Sequence, residues 1–180
     1  MIRKTPNEEL PRLNKDEFKQ SEKTPIILVL DNVRSYLNVG SIFRTADAFL
    51  IEGIYLCGIT GTPPHRDLHK TALGATETVL WKYFPSTIEA VNDLKEYGYA
   101  IASVEQAENA TMLNDFKPAT NQKYAIVFGN EVEGVSQEVV NVSDLIIEIP
   151  QFGMKHSLNI AVSVGVVLWD VFCKMKRSEV

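Results

Sequence analysis

Apolar positions along the chain follow two periods, and the alternation between them predicts its elements. Short apolar runs with many β-branched residues occur at 26–30, 54–57, 78–83, 99–104, 124–128 and 145–149, and each reads as a strand. The runs at 124–128 and 145–149 are apolar without interruption, as in a parallel strand buried on both faces. Between the runs the period becomes helical. Val39, Ile42, Phe43, Ala46, Phe49 and Leu50 mark the apolar side of a helix over 38–50. A short helix is predicted over 67–73. Ser86 with Glu89 three residues on forms a capping box opening a helix that Gly98 closes. A short helix follows Ser136, and a long one runs over 157–173. Strands alternating with helices predict an α/β domain, a mostly parallel sheet covered by helices on both faces.

The last third of the chain concentrates the polar residues that this scaffold would present. Gly129 and Pro150 end two strands, and Asn130, Glu131, Glu133, Gln151, Lys155, His156, Ser157 and Asn159 gather just beyond them. A third polar cluster, 31–46, leaves the first strand and enters the first helix. In a parallel sheet all three loops emerge on one edge, where open α/β sheets bind ligands. Each residue also has a plain structural role available. Asn38, Ser136 and Ser157 could cap helices, Arg44 could pair with Asp47, and Glu131 and Glu133 could be solvated charges. Their alignment at three strand ends favours one shared site.

Length and composition narrow the setting. A chain of 180 residues suits one compact domain. We assign residues 26–180 to it and 1–25, polar with Pro6 and Pro11, to an appendage carrying a helix over 15–22. The net charge of −5 is uneven, because residues 77–148 hold twelve acidic and four basic side chains. The termini and the loops with Arg34, Arg66, Lys70 and Lys155 remain able to face phosphates. The N-terminus lacks an apolar signal region, and the helix over 157–173, broken by Asn159, Ser163 and Asp170, is no membrane span. Cys57 and Cys173, each in apolar sequence, read as buried thiols, so the expected location is cytoplasmic without membrane association. Neither a dinucleotide fingerprint, a phosphate loop nor a nucleophile elbow occurs. His65 and His69 have a metal-like spacing but no third ligand, so no metal is expected. The final helix, apolar from Leu158 through Phe172 with little polar face, requires protein on most sides, either its own domain or a second copy.

Three motifs in order then carry a family resemblance. Asn38, Gly40, Arg44, Thr45 and Ala46, then Gly129, Glu131 and Gly134, then Ile149, Pro150, Ser157, Leu158 and Asn159 resemble the signatures of the SpoU/TrmH family of RNA ribose methyltransferases, within the SPOUT superfamily. Gln151 and Ala161 stand where many members have Met and Ser. The resemblance implies a C-terminal trefoil knot, a homodimer, and S-adenosylmethionine as donor for methylation of a ribose 2′-hydroxyl. It favours tRNA, with wording closest to members acting on a D-loop guanosine. The alternatives are ribosomal RNA and a non-catalytic RNA-binding relative. It implies a catalytic set of Arg44, Asn38, Glu131, Ser157 and Asn159, and cofactor contacts at Gly129, Ile149, Gln151, Ser157 and Leu158. A guanidinium is always protonated, so Arg44 is expected to orient the acceptor and stabilise alkoxide charge rather than to take a proton.

Overall fold

The computed structural model describes residues 2–177. Seven strands form one sheet: β1 (Thr24–Asp31), β2 (Ile51–Cys57), β3 (Trp81–Phe84), β4 (Tyr99–Val104), β5 (Thr111–Met112), β6 (Lys123–Phe128) and β7 (Leu145–Glu148). Their order is β3-β2-β1-β6-β4-β7-β5, with every neighbouring pair parallel. The chain steps outward from β1 to β3, returns for β4, and later inserts β6 between β1 and β4. All carboxyl ends therefore share one edge.

The helices are α1 (Lys15–Gln20), α2 (Tyr36–Ala48), α3 (Arg66–Ala72), α4 (Thr87–Glu96), α5 (Gln137–Val142) and α6 (Ile160–Arg177). Side chains alternate across a strand, so one strand feeds two cores. Ile26, Leu28 and Leu30 of β1 face Val39, Ile42 and Phe43 of α2, Leu68 of α3 and Val164, Val167 and Val171 of α6. Ile27 and Val29 face the opposite core, with Val91 and Leu94 of α4 and Val139 of α5. At the crossing of α2 and α3 a Cβ on Gly40 would lie 2.2 Å from both the Leu68 carbonyl and Thr71 Oγ1, so glycine sets how closely the two helices approach. The N-terminal appendage is docked: α1 has an Asn14–Glu17 capping box, and Phe18 is buried in the first core.

Several boundaries differ from expectation. Helix α2 begins two residues early because Ser35, not Asn38, caps it. Strand β3 starts at Trp81, since a 3₁₀ turn, Ala75–Glu77, occupies the chain just before it and Thr78 bonds Asp47 Oδ2 at 2.7 Å. Strand β5 sits in a stretch expected to be irregular. Strand β7, expected to be buried on both faces, has only Ile147 buried, because it lies next to the sheet's edge. Helix α6 begins at Ile160, with Asn159 rather than Ser157 accepting from Ala161 N at 2.9 Å. Ser136 makes no side-chain cap for α5; its N–H donates to Asp31 Oδ2 at 2.9 Å. Both cysteines are free, Cys57 buried and Cys173 partly so. No described helix is long and apolar enough to cross a membrane.

Candidate active site at the carboxyl edge of the sheet

The three predicted polar clusters meet at the carboxyl edge. Asn38, in the first turn of α2, donates through Nδ2 to Glu131 Oε1 at 2.9 Å, and Asn159 Nδ2 donates to Asn38 Oδ1 at 3.3 Å. One side chain from each cluster thus joins a single chain of hydrogen bonds, and Asn38 uses both ends of its amide to do it. Asn159 also holds the start of α6, so the same residue fixes the helix and the junction.

The loop after β6 is folded tightly on itself. Asn130 and Gly134 exchange backbone bonds at 3.2 and 3.1 Å, and Asn130 Oδ1 accepts from the N–H groups of Val132 and Glu133, both at 2.9 Å. Glu131 is carried at the tip of this turn. Gly129 lies against the far side of the loop, where a Cβ would sit 1.8 Å from the carbonyl carbon of Gly134. Glu105, the residue after β4, pins the loop from outside: its Oε2 accepts from Val135 N and its Oε1 from Gln106 N, each at 2.9 Å. Beneath, buried Asp31 accepts from Thr87 Oγ1 at 2.6 Å, Asn32 Nδ2 at 2.8 Å and Ser136 N, joining the loop to the start of α4.

Beside that loop opens a groove of about 140 Å³. Gly129, Ile149, Gln151, Ser157 and Leu158, the five residues expected at a cofactor, all line it. Its walls are apolar at Val104, Phe128 and Ile149 and acidic at Glu105 and Glu148. The loop 150–159 forms an exposed rim, tied back by Gln106 Nε2 donating to the His156 carbonyl at 3.0 Å. Glu105, Gln106 and Asp31 were not singled out from sequence. Their signal was position: each ends or follows a strand at the same edge.

Arg44 is not in this cluster. Six residues beyond Asn38 on α2, it lies about 9 Å along the axis and about 240° around it. It is exposed, without a hydrogen bond or ion pair among the described residues, and the expected pairing with Asp47 is replaced by the bond from Thr78. It lines a separate groove with the N-terminal segment. His65, with the metal-like spacing to His69, stacks on Tyr36 with ring centroids 3.6 Å apart and accepts from Asp67 N through Nδ1 at 3.3 Å.

Comparison with known proteins identifies the family and the fold. Residues 25–169 match the profile of the SpoU rRNA Methylase family. A "Putative TrmH family tRNA/rRNA methyltransferase" of Staphylococcus haemolyticus is 32% identical over 163 residues, 88% of this chain and 64% of that protein. The chain spans a little under two thirds of the length of such curated relatives. The A. aeolicus TrmH/SpoU tRNA modifying enzyme has the same fold, with a TM-score of 0.79 at 24% identity over 92% of this chain and 82% of that one. An AdoMet-bound rRNA methyltransferase from Sinorhizobium meliloti is similar, with a TM-score of 0.77 at 24% identity over 92% of this chain and 60% of that one.

Proposed function

The chain belongs to the SpoU rRNA Methylase family, and on that premise we propose that it is an RNA methyltransferase moving the methyl group of S-adenosylmethionine to a ribose 2′-hydroxyl, in tRNA. The observation that carries this reading is the Asn38–Glu131–Asn159 junction, which ties the three family motifs together at the carboxyl edge of the sheet.

The groove's chemistry fits the cofactor. Apolar Val104, Phe128, Ile149 and Leu158 suit a flat base, backbone groups at the ends of β6 and β7 are at hand for its edge, and Glu105 and Glu148 suit a cationic sulfonium and ammonium. S-adenosylmethionine held by this groove would supply an electrophilic methyl group for the ribose 2′-oxygen, with the neutral thioether as leaving group and the hydroxyl proton passing to solvent. The chain's own part is placement and charge. Glu105 and Asp31 hold the loop that forms one wall, and Asn38 and Asn159 fix Glu131 at its tip. Arg44, always protonated and presenting a planar pair of donors, orients the acceptor ribose and its phosphate and stabilises charge developing on the 2′-oxygen.

A second copy completes the site. In one chain Arg44 and the cofactor groove are apart, so a shared reaction centre forms when one protomer's Arg44 meets its partner's groove. A face of α6 suited to such contact is available. Val162, Val166 and Trp169, spaced four and three residues apart, are 52%, 39% and 59% exposed. The homodimer and the knotted C-terminal passage belong to the same reading.

The test is transfer of labelled methyl from S-adenosylmethionine to unmodified tRNA and, separately, ribosomal RNA, followed by nucleoside analysis. Label on a tRNA ribose that Arg44→Ala abolishes, and Arg44→Lys reduces by about a hundredfold through loss of the bidentate contact, is the expected result. Label confined to ribosomal RNA would overturn the substrate. Label on a base would overturn the ribose assignment, and near-full turnover by Arg44→Lys the role of Arg44.

A further inference from the structure

The turn leaving β1 and the loop leaving β2 are built as one block at the carboxyl edge. Val33 N donates to Thr60 Oγ1 at 2.9 Å, Thr60 Oγ1 donates to the Leu30 carbonyl at 3.0 Å, and Ile59 N donates to Asn32 Oδ1 at 3.1 Å. Farther out, the second loop grips the Tyr36 ring. His65 stacks on it with 14° between the ring planes, and a Cβ on Gly61 would come 2.3 Å from it. Thr71 Oγ1 donates to the Leu37 carbonyl at 2.9 Å and so fixes α3 to the start of α2.

This block carries two guanidiniums that the fold does not use. Arg34 stands one residue before Ser35, the cap of α2, and Arg66 directly follows His65. Both are exposed, and neither has a hydrogen bond or ion pair among the described residues. The stretches 32–38 and 58–70 hold one carboxylate, Asp67, and Lys70 takes it at 2.6 Å. The carboxylates that adjoin the block are bonded as well: Asp31 is buried on three donors, and Glu131 accepts from Asn38. Two unpaired guanidiniums on a rigid support suit a polyanion. Each can hold a phosphate through a fork of N–H donors, and the support is ordered before the ligand arrives. Asn38, four residues on from Arg34, joins the Glu131 junction, so the block borders the candidate site.

We propose that Arg34 and Arg66 bind the phosphate backbone of the substrate RNA where it crosses the ends of β1 and β2, beside the candidate site. The proposal rests on the RNA methyltransferase reading above. It assigns to the two arginines a role in holding the substrate, not in the methyl-transfer step.

The experiment compares wild type with Arg34→Ala, Arg66→Ala, the double variant and Arg34→Lys. Lys123→Ala is the control, since Lys123 opens β6 at the opposite edge of the sheet. The probe is the unmodified RNA, bulk tRNA or ribosomal RNA, that the wild type methylates, with binding followed by fluorescence anisotropy over a salt series and turnover by methyl transfer. Each alanine variant is expected to raise KM for RNA by about tenfold, the loss of one charge-assisted contact, with kcat and S-adenosylmethionine affinity unchanged. The slope of log Kd against log salt should fall by about one in each single variant and by about two in the double. Arg34→Lys keeps the charge and should keep the slope. Neither arginine is bonded within the fold, so Tm should stay within about 2 °C of wild type throughout, which separates lost binding from lost structure. Native slope and KM in the double variant overturn the proposal while leaving the function intact, and so does an equal fall in slope for Lys123→Ala, which would mean diffuse attraction. Wild type that methylates neither RNA overturns the function itself, and the proposal with it.

Discussion

Gly129→Ala tests the loop that walls the candidate cofactor groove. An alanine Cβ would lie 1.8 Å from the carbonyl carbon of Gly134 and 2.1 Å from both its oxygen and Val135 N. Carbon contacts relax near 3.5 to 4.0 Å, and these neighbours are backbone, so no rotamer change relieves the overlap. The loop must move by about 1.5 Å or more. That motion breaks the two Asn130–Gly134 backbone bonds and draws Val135 N from the Glu105 carboxylate. Two neutral bonds at about 1 kcal/mol each and one charge-assisted bond at about 2 give a loss of about 4 kcal/mol, less whatever water restores. At about 2–4 °C per kcal/mol for a chain of this length, Tm should fall by about 8–16 °C. Calorimetric titration with S-adenosylmethionine should show affinity at least about tenfold weaker, because the displaced wall includes Asn130 and Gly134. Gly153→Ala is the comparison, since a Cβ there meets nothing within 4 Å. Its Tm should stay within about 2 °C of wild type. A Gly129→Ala protein with native Tm and native affinity, or an equal fall at Gly153, would refute the steric argument.

Asp31→Asn removes an acceptor-only side chain that satisfies three donors; one donor must then face an amide N–H, for about 1–3 kcal/mol and a Tm lower by about 2–12 °C. Chemical denaturation that shows no loss would mean the carboxylate is replaceable by water. Val162→Asp places a charge on the exposed stripe of α6 and should convert a dimer to monomers in sedimentation velocity, with methyl transfer lost alongside; a dimer that survives the change would assign the contact elsewhere. Burial pushes the Cys57 thiol up to about 12. In the native protein at pH 8, iodoacetamide should therefore modify Cys173 before Cys57, read by peptide mass spectrometry, and equal labelling would show that the core around Cys57 opens.

Much of this fold is legible in the chain. The apolar runs mark β1, β2, β4 and β6 to within a few residues, because a strand covered by helices must be apolar nearly throughout; the run at 145–149 marks β7 as well, although only Ile147 is buried there. The Ser86–Glu89 box marks the start of α4 for a local reason, a hydrogen bond spanning three residues. Features set by distant partners were less visible. Strand β5 is two residues long and exists only because β7 lies beside it. Ser136 resembles a helix cap, yet its N–H is claimed by Asp31, 105 positions away. Gly129 and Gly153 appear equivalent in sequence, but only Gly129 has backbone packed against the position of its missing Cβ.

By itself, then, the sequence determined the α/β class, the succession of helices and strands along the chain apart from β5, and the three polar clusters that belong at one edge, since periodicity, capping and strand ends are local physics. The tertiary structure decided the rest. It set the strand order that puts β6 between β1 and β4, and with it the bonds from Asn38 to Glu131 and Asn159 across 93 and 121 positions. It enlisted Glu105, Gln106 and Asp31 in the site, and it turned Arg44 away from the groove its motif accompanies and toward the N-terminal segment. Such pairings depend on which elements the folded sheet makes neighbours, and that information resides in packing rather than in any local stretch of chain.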